Sequence, residues 1–364
     1  MRLHRFNPEH EICLASGKAN FTPPHAASRL RSGLGWIPAL WADKGDIVIV
    51  DDVEYAVKAS SRWRGKKSDV LFLTFADLKK MLRHVNLDTL QLGVEPWGWD
   101  LPVRQQLMRH GIPASKLPSL KRMETIRALA HRGVTIELLS RLTASLPGTV
   151  GERHLMERMD DVDVFLHERG SMVLKSPWSS SGRGVRYVSE QLEPTVRSWA
   201  EGVIARQGCL IVEPCYAREM DFALEFEMEK SEARFLGFSL FETHGTAYQG
   251  NWLATEEKKR ERLSRYIDAH RLSLLIEEVS SACASLLRGS YKGPFGIDMM
   301  VVRTDEGVGH LIHPCIEMNL RRTMGHVALG LTPAPMEPEG VMYIAQGVNA
   351  ELKIDIDRPF VKVY

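Results

Sequence analysis

Residues 296–319, "GIDMMVVRTDEGVGHLIHPCIEMN", restrict this chain more than any other stretch. Two runs of alternating character flank the turn-rich "TDEGVG", the pattern of a β-hairpin. Centring the turn between Gly307 and Val308 sets Asp298 across from Glu317 and Met300 across from Cys315. Ile297, Met299 and Val301 then share one apolar, core-directed face with Ile312, Ile316 and Met318. The other face carries Asp298, Glu317 and Asn319. Directly opposed side chains have Cβ atoms roughly 5 Å apart, so two bare carboxylates there repel. A hard divalent cation resolves the repulsion, and Asp, Glu and Asn oxygens suit Mg²⁺. Two ions sharing Glu317 are feasible, because paired sites hold metals about 3.5–4 Å apart. The competing account of the same acids is a structural salt-bridge cluster with Arg321 and Arg322.

A second stretch, "SMVLKSPWSSSGRGV" (Ser171 to Val185), runs an apolar strand into Lys175. A Pro-Trp break and a serine- and glycine-rich loop follow, too flexible to exist for packing. Bulk properties leave the function to such local sites. A net charge of +1 gives no electrostatic pull toward nucleic acid or anionic membrane. The 5 cysteines are scattered without a C-x-x-C pair, which argues against a disulfide framework or zinc cage, and most read as small buried hydrophobes. There is no signal-peptide apolar run and no stretch of about 18 uninterrupted apolar residues. A cytoplasmic protein without a membrane span is expected.

The first third alternates short apolar runs with helical segments. Strands are expected at Asp46 to Asp52 and Val70 to Phe75, and helices near Ala76 to His84 and Pro102 to His110. That alternation implies a parallel α/β sheet. "GIPASKLPS" (Gly111 to Ser119) reads as a linker, and Leu120 to Leu142 as helical. The charge-rich Gly151 to Asp163 reads as a solvated connection or a short helix. Strands follow at Met172 to Lys175, Val185 to Val188 and Cys209 to Cys215, with a helix near Glu193 to Gln207. Asp221 to Glu229 and Ala233 to Thr243 are expected to be antiparallel neighbours. "EEKKRERLSR" reads as a solvated helical face, continued by Leu272, Leu275, Ile276, Val279, Ala282 and Leu286 at helical spacing against the sheet.

Lys175 at a strand end, the loop "SSSGRGV", the strand "IVEPC" followed by Glu219, then Asp298 and "EMNLR" occur in an order that resembles the ATP-grasp superfamily. The resemblance covers roughly Leu120 to Leu329. It implies an α/β (α+β) protein, with an N-terminal parallel α/β domain over 1–115, a small lobe and lid over 120–210, and a large lobe with antiparallel sheet and metal site over 211–364. It further implies that Lys175 neutralises the α- and β-phosphates of ATP and that Ser179, Ser180, Ser181, Gly182, Arg183 and Gly184 close over them through backbone N–H groups. Glu213 would begin a hinge where the backbone of Cys215 and Tyr216 meets adenine, Pro214 lacking an N–H. Glu219 would accept the ribose hydroxyls, with Asp221 an equally placed carboxylate. Asp298, Glu317 and Asn319 would hold Mg²⁺, and Arg321 would steady developing charge on phosphate.

The implied activity is ATP-dependent ligation of a small-molecule carboxylate to an amine through an acyl phosphate, with a peptide acceptor also allowed and a homodimer a family-level expectation. Two rival classes fit parts of the pattern: a bicarbonate-activating, carboxyphosphate-forming enzyme, and a regulatory protein that binds Mg-ATP without turnover. One departure stands out. Where many ligases of this family carry an arginine two residues before the first metal-binding acid, this chain has Gly296. Arg322 and His326 are the expected substrate-side residues. "FNPEHE" (Phe6 to Glu11) and "NFTPPH" (Asn20 to His25) are candidate acceptor loops.

Overall fold

A computed structural model describes residues 1–63, 69–84, 91–179, 184–304, 309–347 and 349–360. The chain divides into two compact units, Met1–Arg127 with Met342–Ile354, and Ala128–Val341 with Asp355–Tyr364.

The first unit holds a parallel sheet of order β3-β2-β1-β4, from β1 (Arg2–Arg5), β2 (Ile47–Ile49), β3 (Leu71–Leu73) and β4 (Gly93–Pro96). The parallel sheet matches the strand–helix alternation, although β1 (RLHR) and β4 (GVEP) carry too few apolar residues to stand out. Its core is Leu3, Ile47 and Ile49 from the strands with Leu78, Leu82 and Leu107 from the helices Phe75–Leu82 and Leu101–Arg109. Thr74 and Asp77 close a reciprocal capping box on the first helix, and Asp100 caps the second by accepting from the Val103 N–H.

Leu120 to Leu142 is not one helical run: Leu120–Leu129 ends, Arg132–Val134 makes a 3-10 turn, and Thr135–Ser145 starts a new helix. His131 sets the break by accepting from the Gly133 N–H. Gly151 to Asp163 is likewise part strand and part helix, with β5 (His154–Met156) and the helix Met159–Arg169. An antiparallel sheet of order β5-β8-β6-β7 joins β5 to β6 (Ser171–Lys175), β7 (Val185–Ser189) and β8 (Leu210–Pro214). Val162 and Phe165 on the helix Met159–Arg169 and Ala200 and Val203 on the helix Pro194–Gln207 bury Met172, Leu174, Leu210 and Val212 of this sheet.

The second antiparallel sheet has its strands in the order β13-β12-β9-β10-β11: β9 (Arg218–Glu229), β10 (Glu232–His244), β11 (Ala247–Leu253), β12 (Gly293–Arg303) and β13 (His310–Asn319). The stretch "HGTAYQGN" (His244 to Asn251) follows β10 and turns directly into β11. Leu272, Leu275, Val279 and Ala282 on the helix Ala269–Leu287 are buried, as their spacing requires. The charged helix Glu256–Ser264 is not solvated throughout: Lys259 and Leu263 are buried, and Glu256 accepts from the Phe238 N–H. No helix among the described residues is long and apolar enough to cross a membrane.

Candidate functional site

The hairpin β12–β13 pairs Asp298 with Glu317, Ile297 with Met318 and Gly296 with Asn319. The expected opposition of Met300 and Cys315 fails. A bulge intervenes between Asp298 and Met300, and Met300 pairs with His313. The extra residues lie on β13 and include Pro314, which has no N–H for the ladder. The turn-side pairs, Met300–His313 to Arg303–His310, are centred one residue earlier than expected, and the two extra residues of the bulge restore the opposition of the acids. The turn positions Gly307 and Val308 lie outside the described residues.

Asp298 accepts from Asn319 Nδ2 at 3.1 Å, and Arg321 Nη2 donates to Asn319 Oδ1 at 3.0 Å. Burial pushes the Asp298 carboxyl well above its usual range, reinforced by the negative charges of Glu317 and Glu225. Glu225 comes from β9, where it pairs with Gly296. A Cβ on Gly296 would lie 2.6 Å from Glu225 Oε2, so this carboxylate fills the space a side chain at 296 would need. Glu225 in turn accepts from Thr323 Oγ1 at 2.8 Å and lies 2.9 Å from His326 Nδ1.

His326 is deeply enclosed. Its Nε2 donates to the Phe226 carbonyl at 3.1 Å, and Thr323 and His326 form the capping box of the helix Met324–Gly330. Its ring is thus engaged on both sides by the protein. Arg322 is half-buried, and its carbonyl accepts from Arg321 Nη1 at 3.1 Å.

A second cluster surrounds Lys175. Its Nζ donates to Glu213 Oε2 at 2.6 Å, while Arg153 Nε donates to Glu213 Oε1 at 2.6 Å. All three residues are buried. Burial opposes the Glu213 charge, but Arg153 and Lys175 outweigh it and hold the carboxyl at about 2. Burial also draws the Lys175 ammonium down, with Glu213 acting against that. Arg153 is further held by Thr135 Oγ1 and by the carbonyls of Cys315 and Ile316 at 3.0 and 2.7 Å. It therefore ties the 3-10 turn and helix start, β8 and the bulge of β13 together. His313 beside it is fully buried, and burial lowers its pKa to about 3, so the imidazole is neutral.

Arg132, delivered by the break after Leu129, bridges to the loop that follows Lys175. Its Nη1 donates to the Ser176 carbonyl at 2.5 Å and to Ser179 Oγ at 2.7 Å, and its Nη2 donates to the Ser179 carbonyl at 3.1 Å. The same Nη2 donates to Glu317 Oε1 at 2.7 Å. One guanidinium thus joins the loop to one acid of the hairpin. Gly184 closes the far side of the loop, where a Cβ would overlap Ser176 Oγ and Ser179 Oγ. Ser180, Ser181, Gly182 and Arg183 lie outside the described residues. Trp178 packs edge-on to His131 at 4.6 Å, in keeping with a role as loop anchor.

Beyond β8 the chain runs through Cys215, the one exposed cysteine, while the other 4 are buried. Tyr216 meets the His313 ring edge-on at 5.5 Å, and burial lifts its hydroxyl to about 12. Glu219 faces Arg303 at 3.6 Å, whereas Asp221 accepts from Thr243 Oγ1 at 2.7 Å and from Arg218 at 3.3 Å. The structure therefore brings Lys175, Ser179 and Gly184 to one loop, and Asp298, Glu317, Asn319 and Arg321 to one sheet edge linked to it by Arg132. Glu219 sits on the neighbouring strand with a distant partner set. Arg132, Arg153, Glu225 and His313 escape sequence reasoning. Arg132 and Arg153 sit in ordinary polar segments, and only the break at His131–Gly133 hints at the first.

A parallel α/β unit, an antiparallel sheet ending in a lysine and a serine–glycine loop, and a second antiparallel sheet carrying an acidic hairpin define the ATP-grasp fold. Biotin carboxylase from Campylobacter jejuni, solved as a complex with β-γ-ATP, aligns with 94% of this chain and 75% of its own, at 12% identity and a TM-score of 0.51. N5-carboxyaminoimidazole synthetase from Staphylococcus aureus, solved with ADP, covers 94% of this chain and 82% of its own at 12% identity and a TM-score of 0.49. No protein-family model matches the chain, and no curated protein sequence matches it.

Proposed function

We propose that this protein is an ATP-dependent ligase that joins a carboxylate to an amine through an acyl phosphate, releasing ADP and phosphate. The observation that carries the proposal is the opposed pair Asp298–Glu317. Burial, with the neighbouring carboxylates of Glu317 and Glu225, raises the Asp298 carboxyl against the pull of Arg321. That donor set fits Mg²⁺, and Asp298, Glu317 and Asn319 are the residues that would hold it. When bound, the ion supplies neutralisation of phosphate oxygens.

The remaining work falls to residues of the chain. Lys175, kept in place by Glu213, presents a point charge to the α- and β-phosphates. Arg132 has three hydrogen bonds to the loop and one to Glu317, so a triphosphate oxygen that displaces Glu317 can pair with its guanidinium while the loop stays attached. Arg321, anchored through Asn319, faces charge that develops on the transferred phosphoryl group. Loop closure over Ser179 and Gly184 excludes water that would hydrolyse the acyl phosphate. No covalent enzyme intermediate is needed, since positioning and charge stabilisation drive phosphoryl transfer.

Calorimetric titration of ATP with and without Mg²⁺ tests the binding half of the proposal. Magnesium-dependent binding that weakens in Glu317→Gln supports it, and no binding under either condition refutes it. ADP release from pairs of acids and amines tests the chemical half. Glu317→Gln and Lys175→Ala are each expected to abolish turnover. ADP release stimulated by bicarbonate alone would transfer the reading to carboxyphosphate formation.

A further inference from the structure

The first unit contains a cavity of about 240 Å³ that plays no part in the nucleotide reading. It lies beside the end of β1, in the loop "FNPEHE", with Arg5, Glu9, Arg31 and Arg109 among the residues around it. Its volume falls below the roughly 300–1,000 Å³ of drug-sized sites, which suits a small metabolite.

Two of the lining residues are already satisfied. Asn7 Nδ2 donates to the Gly98 carbonyl and to Asp100 Oδ2, both at 2.8 Å. Asp100 Oδ1 accepts from the Val103 N–H at 2.8 Å. They form the frame of the cavity.

The ionic groups behave differently. Arg5 Nη2 donates to Asp51 Oδ1 at 3.4 Å, Arg31 Nε donates to Asp51 Oδ2 at 3.2 Å, and Arg31 Nη1 donates to Glu9 Oε1 at 2.5 Å. The chain Arg5–Asp51–Arg31–Glu9 is open at both ends. Among the described residues, Arg5 Nη1 and Glu9 Oε2 have no hydrogen-bond partner. Arg5 is only 3% exposed and Glu9 only 7%. A buried donor and a buried acceptor left unmade are costly, and polar groups at that depth are ordinarily paired. Both residues line the one cavity.

We propose that this cavity binds a small zwitterion of the α-amino-acid class, its carboxylate on Arg5 and its ammonium on Glu9. The pairing of opposite unmet groups selects the ligand. A simple anion would satisfy Arg5 but face the Glu9 carboxylate, and a simple amine would satisfy Glu9 but face the guanidinium groups of Arg5 and Arg31. Only a molecule carrying both charges satisfies both ends. Planar guanidinium and carboxylate groups also match in geometry. Arg109 is exposed at the rim and has no ion-pair partner among the described residues, so acidic side chains bind ahead of basic ones. The proposal is independent of the nucleotide site, because every residue it uses belongs to the first unit.

The test is calorimetric titration of the full chain, without nucleotide, with each standard amino acid, inorganic phosphate, and the N-acetylated and decarboxylated forms of the tightest binder. At least one amino acid is expected to bind, with both half-ligands and phosphate at least tenfold weaker. Glu9→Gln should weaken the amino acid at least tenfold while leaving the N-acetylated form unchanged. Arg5→Met should weaken both forms, provided its circular dichroism remains native. If Arg5→Met does not fold, Glu9→Gln and the half-ligands decide the matter alone. Absence of binding by every amino acid would overturn the proposal. So would an N-acetylated acid or phosphate that binds as tightly as the amino acid, or a Glu9→Gln variant that binds like wild type.

Discussion

Substituting Glu213→Gln tests the electrostatic centre of the second unit. Gln keeps the shape of the acid and removes its charge, leaving Arg153 and Lys175 buried around a neutral amide. Arg153 retains Thr135 and two carbonyls, so its losses are partial. Lys175 loses the partner that opposes burial, and its ammonium is driven further down. Removing one member of a buried ion pair costs about 3–5 kcal/mol. For a unit of this size that corresponds to a Tm lower by roughly 6–20 °C, at about 2–4 °C per kcal/mol.

The pH dependence gives the reasoning a sharper edge. The folded Glu213 carboxyl sits at about 2, below its ordinary value, so its contribution is complete above that ordinary value and is lost as pH falls toward 2. Gln is the permanent equivalent of the protonated acid. The stability difference between wild type and variant should therefore be largest near neutrality and shrink on acidification below about pH 5. Urea denaturation followed by tryptophan fluorescence across that range measures it. A difference below about 1 kcal/mol at pH 7, in the range of exposed ion pairs, would refute the account of this cluster. A difference independent of pH would do the same.

Arg132→Lys should loosen the loop after Lys175, because an ammonium cannot hold Ser176, Ser179 and Glu317 at once. A loss of roughly 1.5–3 kcal/mol is expected, with faster proteolytic cleavage near Ser179 as the readout. Gly325→Ala drives a Cβ into Glu225 Oε1 and Ser239 Oγ and should cost about 1–3 kcal/mol in denaturant unfolding. In the first unit, burial opposes the Asp46 charge, but hydrogen bonds from the Arg2 and Asp43 N–H groups and from His4 hold its carboxyl at about 2. Its contribution to stability should persist down to its ordinary carboxylate range and vanish as pH falls toward 2, a dependence that Asp46→Asn abolishes. Acid unfolding monitored by circular dichroism distinguishes the two proteins.

Local pattern carried much of the architecture. The alternation in Ile297 to Val301 and in Ile312 to Met318 marks both strands of the hairpin, because a strand's side chains repeat every second residue wherever it pairs. The opposition of Asp298 and Glu317 needs more than that periodicity, because the turn-side pairs are centred one residue earlier than expected and the bulge makes up the difference. Helical spacing placed the helix Ala269–Leu287 against its sheet for an equally local reason. Strands β1 and β4 left no such trace, since RLHR and GVEP lack an apolar run, whereas the still shorter β2 and β3, IVI and LFL, are wholly apolar.

The linear order of chemistry-bearing residues, Lys175 before the serine–glycine loop, then Glu213, then Asp298 and Glu317, was enough to indicate the ATP-grasp fold. Tertiary structure alone decided which charges meet. Arg132 and Glu317 lie 185 positions apart, as Arg153 and Glu213 lie 60 apart, and no local period encodes such pairs. The bulge at Pro314 likewise decided the register, leaving Met300 opposite His313 and setting Glu317 opposite Asp298. Ion pairs between distant segments depend on where folding brings two backbones, and a charged residue in a polar run looks the same whether it ends in water or on a buried carboxylate.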